Sequence, residues 1–151
     1  MQSGIRGVQL IPLRRFTDSR GWLVEFFRDD TLPEGFSPVQ GYLSYTKPGI
    51  SRGPHEHEAQ TDGFAFFDGH YSLHLWENRE GEPSIYEVHQ VGADNPTFIT
   101  VPPGVVHAYR NDGDRDAFVL NIPNKLYGGW NRQEKVDEIR HEEDADSRFK
   151  L

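Results

Sequence analysis

Three histidines and one aspartate carry the strongest chemical signal in this chain. His55 and His57 lie one residue apart in the stretch 49–69, GISRGPHEHEAQTDGFAFFDG, which also holds Asp62 and is bounded by glycines. A second stretch, VPPGVVHAYRN over 101–111, adds His107 just behind a Pro-Gly turn. On an extended strand, side chains two apart project from the same face, so His55 and His57 aim at one side of a sheet. Imidazoles beside a carboxylate suit two chemistries: ligation of a divalent first-row metal, and proton transfer. The plain alternative is a pair of hydrogen-bonded strand histidines. His70, His74, His89 and His141 fit no motif and read as ordinary exposed or half-buried residues.

The elements that position these groups must be strands. Aromatics make up 13% of the chain, with 15 glycines and 10 prolines, and no long helical period occurs. That profile describes a β protein rich in turns. Strands are expected over 8–13, 22–27, 39–47, 64–67, 70–76, 84–91, 97–101, 105–109 and 117–122. Turn chemistry separates them, as in Pro48-Gly49, Pro102-Pro103-Gly104 and Asn111-Asp112-Gly113. Strands recurring at roughly eight to twelve residues indicate a sandwich or barrel. The stretch 31–38, with two prolines and a glycine, reads as a loop or single helical turn. Phe64, Phe66, Phe67, Tyr71, Leu73, Leu75 and Trp76 form an apolar stripe expected in the core and at a subunit interface. Beyond Tyr127 the pattern breaks. Residues 130–151 read as a surface helix at most or a loose tail, with the acidic run 137–146 as a solvated face. The expectation is one domain over 1–151, with a core over about 8–127 and a C-terminal segment at 128–151.

Composition also excludes partners. A net charge of −8 speaks against nucleic acid or an anionic membrane, while leaving room for a local basic pocket. With no cysteine there is no disulfide, no thiolate zinc site and no cysteine nucleophile, which suits a reducing compartment. The first residues lack a signal-type apolar region, and no apolar run reaches membrane-spanning length. A cytoplasmic location is expected.

The two stretches fit both halves of the cupin signature. Gly49, His55-Glu56-His57, Asp62 and Gly69 match the first half, with Asp62 where glutamate is usual. Pro102, Gly104, His107 and Asn111 match the second, with Pro96 where an upstream glycine is usual. The chain thus resembles the cupins, which implies an all-β double-stranded β-helix, a jelly-roll barrel. Within them, FTDSRGWLVEFF, VQGYLS, SRGPH and VPPGVVHAY, in that order, resemble the dTDP-4-dehydrorhamnose 3,5-epimerase family over about 16–127. That resemblance implies a nucleotide-sugar epimerase or isomerase that acts on a dTDP-4-keto-6-deoxy sugar, requires no cofactor and forms a homodimer. It implies that Arg20 meets the diphosphate and Glu25 lies beside the base. Gln40 and Arg52 would contact the phosphates or sugar, and Gln60 joins them as the match to a family glutamine. His55 matches the catalytic base and His107 the second pocket histidine.

In that family a histidine removes an acidified proton at C3 or C5, beside the 4-keto group. A tyrosine returns one from the opposite face, and a lysine stabilises the enolate between. Here three of those parts fall differently. The lysine position is Asp62, and the tyrosine position is Leu120 or Asn121. The aspartate that orients the histidine belongs to a C-terminal extension this shorter chain is expected to lack. An aspartate about 4 Å from an enolate costs on the order of 4 kcal/mol at an effective dielectric near 20. Two alternatives therefore stand beside the epimerase. One is a metal-dependent cupin, an oxygenase or isomerase whose divalent ion (Fe, Mn or Zn) is held by His55, His57, Asp62 and His107, with Glu56 or Glu58 moving the proton. The other is a non-catalytic sugar-nucleotide-binding cupin.

Overall fold

The structure is a computed structural model and describes residues 2–151. Its strands are β1 (Gln9–Pro12), β2 (Arg15–Asp18), β3 (Gly21–Val24), β4 (Tyr42–Thr46), β5 (Ser51–Glu56) and β6 (Asp62–Phe66). They continue as β7 (His70–Glu77), β8 (Tyr86–Gly92), β9 (Thr97–Val101), β10 (Val105–Asn111), β11 (Ala117–Asn121) and β12 (Ile139–Arg140). Two five-stranded sheets, ordered β1-β9-β6-β11-β4 and β12-β5-β10-β7-β8, face each other, and every pairing is antiparallel. This is the expected all-β jelly-roll barrel. Hairpin β2–β3 pairs only with itself.

The core sits between the sheets. Phe64, Phe66, Ile99, Val101 and Val119 of the first sheet meet Tyr71, Leu73, Leu75, Val105 and Tyr109 of the second. Burying one such side chain contributes about 1.5–3 kcal/mol, so this layer is the main source of stability. β6 and β9 are buried along their whole length. Ala65 and Phe98 turn to the outer face, where Phe36, Ile122, Leu32 and Phe26 cover them. A strand buried on both faces has no reason to alternate, which is why Phe64-Ala65-Phe66 and Phe98-Ile99 run apolar without a polar residue between. β7 alternates instead: Tyr71, Leu73 and Leu75 point inward, while His74 and Trp76 stand on the half-buried outer face.

Two expectations change. The strand expected over 22–27 stops at Val24, because Phe26 leaves the hairpin to pack over the outer face of the first sheet. The C-terminal residues form neither a helix of any length nor a loose tail. Ile139 and Arg140 pair with Glu56 and His55, short 3-10 turns flank them, and Phe149 is 5% exposed against Trp76 and His141. β5 would otherwise leave an open edge of unpaired backbone groups, and the two-residue β12 covers it. No described helix is long and apolar enough to cross a membrane.

Candidate active site

The site is built where the two sheets open at one end of the barrel. Strict alternation would set Arg52 and His55, three residues apart, on opposite faces of β5. They are not. Opposite β10, His55 pairs with His107, but Arg52 rather than Gly53 pairs with Tyr109, so β5 carries one extra residue. This bulge lies at Gly53-Pro54 and brings Arg52 and His55 onto the same inward face. Glycine is required there. Its φ is +81°, and a Cβ would stand 2.6 Å from the His107 carbonyl oxygen. His57 follows the end of β5, and its carbonyl accepts the Gly104 N–H at 2.9 Å, which ties it to the turn before β10.

Asp62 comes from the opposing sheet, at the start of β6. Its Oδ2 accepts from His57 Nε2 at 2.9 Å and His107 Nε2 at 3.0 Å, and its Oδ1 accepts from Gln60 Nε2 at 2.7 Å. One carboxylate thus joins both sheets. His57 also donates through Nδ1 to the Asp137 carbonyl, so both its ring nitrogens face acceptors and the ring is an imidazolium. Burial opposes that charge, but the bond to Asp62, its charge and the Asp137 carbonyl outweigh it and raise His57 to about 9. For Asp62, burial favours the neutral acid, yet the bonds from His107 and His57 hold the carboxyl well below its usual range. His55 differs from both. No hydrogen bond reaches its ring among the described residues, and burial, then the neighbouring His107, push it well below the ordinary histidine value. It is a neutral imidazole with a free lone pair.

The loop bearing these groups is fixed from the C-terminal segment. The Asp137 carboxylate accepts the N–H groups of Glu58, Ala59 and Gln60 at 2.8, 3.0 and 2.8 Å. Asp137 is therefore not part of a solvated face. The segment expected to contribute no orienting aspartate does supply one, directed at the His57 loop rather than at His55.

These residues line one end of a cavity of about 1120 Å³. His55, His57, Asp62, Arg52 and Gln60 all face it, while His107 lies beneath, buried. Arg52 is held by Thr46 Oγ1 at 3.0 Å and the Tyr45 carbonyl at 2.8 Å. Gln40 stands at the margin, its side-chain oxygen accepting the Tyr127 N–H at 2.8 Å. Arg20 and Glu25 are not brought to this cavity within one chain. Arg20 sits at the tip of hairpin β2–β3, bonded to Asp18, and Glu25 borders a small groove with Phe26 and Phe27. Glu56 is turned away, bonded to Asn78 and His141. Glu58 lines the cavity.

The donor atoms of His55, His57, Asp62 and His107 all lie within 4.8 Å of one another. Three imidazoles and a carboxylate fit a divalent first-row cation in kind, though His57 and His107 would first have to turn lone pairs inward in place of N–H groups.

The fold and this cluster place the chain among known proteins. Residues 16–135 match the family described as the polysaccharide biosynthesis C-terminal domain. The chain belongs to this family. It is 34% identical over 137 residues to the spore coat polysaccharide biosynthesis protein SpsL of Bacillus subtilis, covering 87% of each chain. It is 32% identical over 126 residues to the probable low-salt glycan biosynthesis epimerase Agl13 of Haloferax volcanii, covering 82% of this chain and 81% of that one. Among solved structures, it is similar to a dTDP sugar isomerase from Desulfovibrio desulfuricans G20, with a TM-score of 0.82 at 24% identity over 93% and 87% of the two chains. It is also similar to the dTDP-4-dehydrorhamnose 3,5-epimerase of Bacillus anthracis, solved with TDP and PPi bound, with a TM-score of 0.74 at 24% identity over 84% and 77%. The barrel is that of the dTDP-4-dehydrorhamnose 3,5-epimerases.

Sequence reasoning passed over several lining residues of this family member: Tyr42, Tyr109, Lys125, Lys135 and Asp137. Alternation along VQGYLSYTK gave a usable signal for Tyr42, since Ser44 and Thr46, two and four residues on, share its face and are buried. Burial, then the Asp62 charge, raise its phenol above the ordinary value and keep it protonated. Nothing in the acidic, irregular tail marked Lys135 or Asp137.

Proposed function

We propose that this chain is a nucleotide-sugar epimerase or isomerase that removes a proton beside the keto group of a dTDP-4-keto-6-deoxy sugar. The observation that carries this reading is His55, a neutral imidazole with no hydrogen bond among the described residues, facing a cavity large enough for a nucleotide sugar. Its relatives include a protein named as a glycan biosynthesis epimerase, and its structural neighbours a dTDP sugar isomerase. His55 takes the proton and the electron pair moves to the keto oxygen. Asp62 does not oppose that charge as a bare anion would, because His57 and His107 both donate to it. Arg52, with Lys125 and Lys135 on the same cavity, supplies positive charge for the diphosphate and the enolate. His107 supports Asp62 as the second pocket histidine. Gln60 and Gln40 bound the sugar end and the rim.

The test is deuterium incorporation beside the keto group of dTDP-4-keto-6-deoxyglucose in heavy water. Exchange should persist in chelator and fall about 100- to 10,000-fold in His55→Asn. Exchange that is absent in the wild-type protein, or unaffected by His55→Asn, would remove the reading.

A second reading rests on the donor cluster. A divalent ion on His55, His57, Asp62 and His107 would act as a Lewis acid at the keto oxygen. Metal content of protein purified without chelator, and loss of exchange on chelation, would favour it.

Arg20 and Glu25 fit the substrate-binding set through a homodimer. Hairpin β2–β3 exposes Trp22 and Leu23, and the outer edge of the first sheet exposes Leu43, Tyr45 and Phe118. Pairing two copies through these surfaces would cover both and carry Arg20 toward a neighbouring cavity. A reducing, cytoplasmic place fits this cysteine-free chain.

A further inference from the structure

Inversion at a carbon needs two proton carriers, one on each face of the sugar. His55 comes from β5, in the second sheet, so the partner must come from the first sheet, across the cavity. The resemblance puts the family's tyrosine at Leu120 or Asn121, and neither can act as an acid. Leu120 is turned to the outer face, among the residues around Phe98 and Ile122. Asn121 is buried, with its Nδ2 donating to Ser44 Oγ at 2.9 Å and the Val119 carbonyl at 3.0 Å. The register of β11 and β4, however, sets Asn121 directly opposite Tyr42. Residues paired in this way on one face have Cβ atoms about 4.5–5.5 Å apart. A phenol therefore stands one strand over from the position where the family's phenol is missing.

We infer that Tyr42 is the catalytic acid that protonates the enolate on the face opposite His55, an assignment that rests on the epimerase reading above. Tyr42 lines the same cavity as His55, is 45% exposed, and its hydroxyl has no hydrogen-bond partner among the described residues. The other tyrosines of the cavity are placed differently. Tyr109 is 2% exposed, its ring wedged among Phe64, Phe66 and Tyr71 in the barrel floor. Tyr127 lies on the loop after β11, beneath the Arg132 guanidinium, and belongs to neither sheet.

The step balances without an oxidant or reductant. A ring nitrogen of His55 takes the proton from the carbon beside the ketone, and the C–H pair becomes the enolate. As the keto C=O reforms, that carbon takes the Tyr42 hydroxyl proton from the other side. Water in the open cavity returns a proton to the phenolate and takes one from the imidazolium.

The experiment follows exchange and inversion together, with dTDP-4-keto-6-deoxyglucose in heavy water observed by NMR. In Tyr42→Phe, exchange should continue within about threefold of wild type, since His55 is intact, while inverted product falls about 100-fold or more. Tyr109→Phe and Tyr127→Phe, at residues that also line the cavity, should keep the ratio of inversion to exchange at its wild-type value even where binding weakens. Inversion by Tyr42→Phe within about threefold of wild type overturns the assignment, as does its loss in either control instead. Loss of exchange along with inversion in Tyr42→Phe overturns the division of labour between the two residues. A wild-type protein that neither exchanges nor inverts removes the epimerase reading itself, and the assignment falls with it. The change removes one oxygen from a half-exposed ring, and an unchanged melting temperature with and without dTDP confirms that the fold and binding are retained.

Discussion

At the scale of single residues, the site separates His55 from His57, which the sequence presents as equivalents. His57 is charged because the bond to Asp62, the Asp62 charge and the Asp137 carbonyl outweigh its burial. His55 is neutral because burial, then the neighbouring His107, disfavour its cation, and no hydrogen bond reaches its ring among the described residues. The charge on His57 has a consequence for stability. Its folded value, about 9, lies above the ordinary 6.5 of an unfolded chain, so the folded state binds that proton more tightly. The stabilisation is complete below about 6.5 and is lost as pH rises through 9. A shift of this size corresponds to on the order of 3 kcal/mol. Urea midpoints measured in chelator should therefore fall between about pH 6.5 and 9. In His57→Gln that slope should flatten, and an unchanged slope would place the proton elsewhere.

At the scale of elements, the bulge in β5 and the strap after β11 do the positioning. Gly53→Ala adds a Cβ 2.6 Å from the His107 carbonyl, at φ +81°. Backbone strain of that kind costs on the order of 1–3 kcal/mol, and relieving it would remove the extra residue that turns His55 inward. Denaturation midpoint and deuterium exchange should fall together. If exchange survives in a folded variant, the bulge is not what aims His55. Asp137→Ala tests the strap. It leaves three backbone N–H groups, two exposed and that of Gln60 part-buried, without their acceptor, and frees the loop that carries Gln60. We expect lower stability and a higher KM for the nucleotide sugar, with kcat less affected. A merely structural role would lower stability and leave KM unchanged.

At the scale of the whole molecule, one barrel gathers His55, Arg52, Lys125 and Lys135 on a single cavity. Arg20 lies outside the cavity, on a hairpin that pairs with neither main sheet. β4 ends the first sheet, and Leu43, Tyr45 and Phe118 stand exposed beside that edge. Sedimentation at micromolar concentration should find a dimer, and Arg20→Ala should weaken dTDP-induced thermal stabilisation only in that state. A monomer with full dTDP response would show that Arg52, Lys125 and Lys135 suffice.

The sequence by itself determined the architecture and the chemical inventory. Alternation in β7 and Pro-Gly turns between short strands read as a sandwich or barrel, and the two halves of the cupin signature narrowed that to a jelly-roll barrel. His55 and His57 were legible as a pair because they lie two residues apart, whereas Asp62 and His107 joined them only through the two halves of the cupin signature. Only the tertiary structure decided the arrangement. That Asp62 is compensated depends on a carboxylate from one sheet meeting imidazoles from the other. That Arg52 and His55 share a face depends on a bulge that alternation cannot express. Tyr42 stands beside Asn121 through a strand pairing between residues 79 apart. Asp137 reaches His57 from 80 residues away. Such contacts join residues whose separation along the chain carries no period, so a pattern read from local sequence cannot contain them.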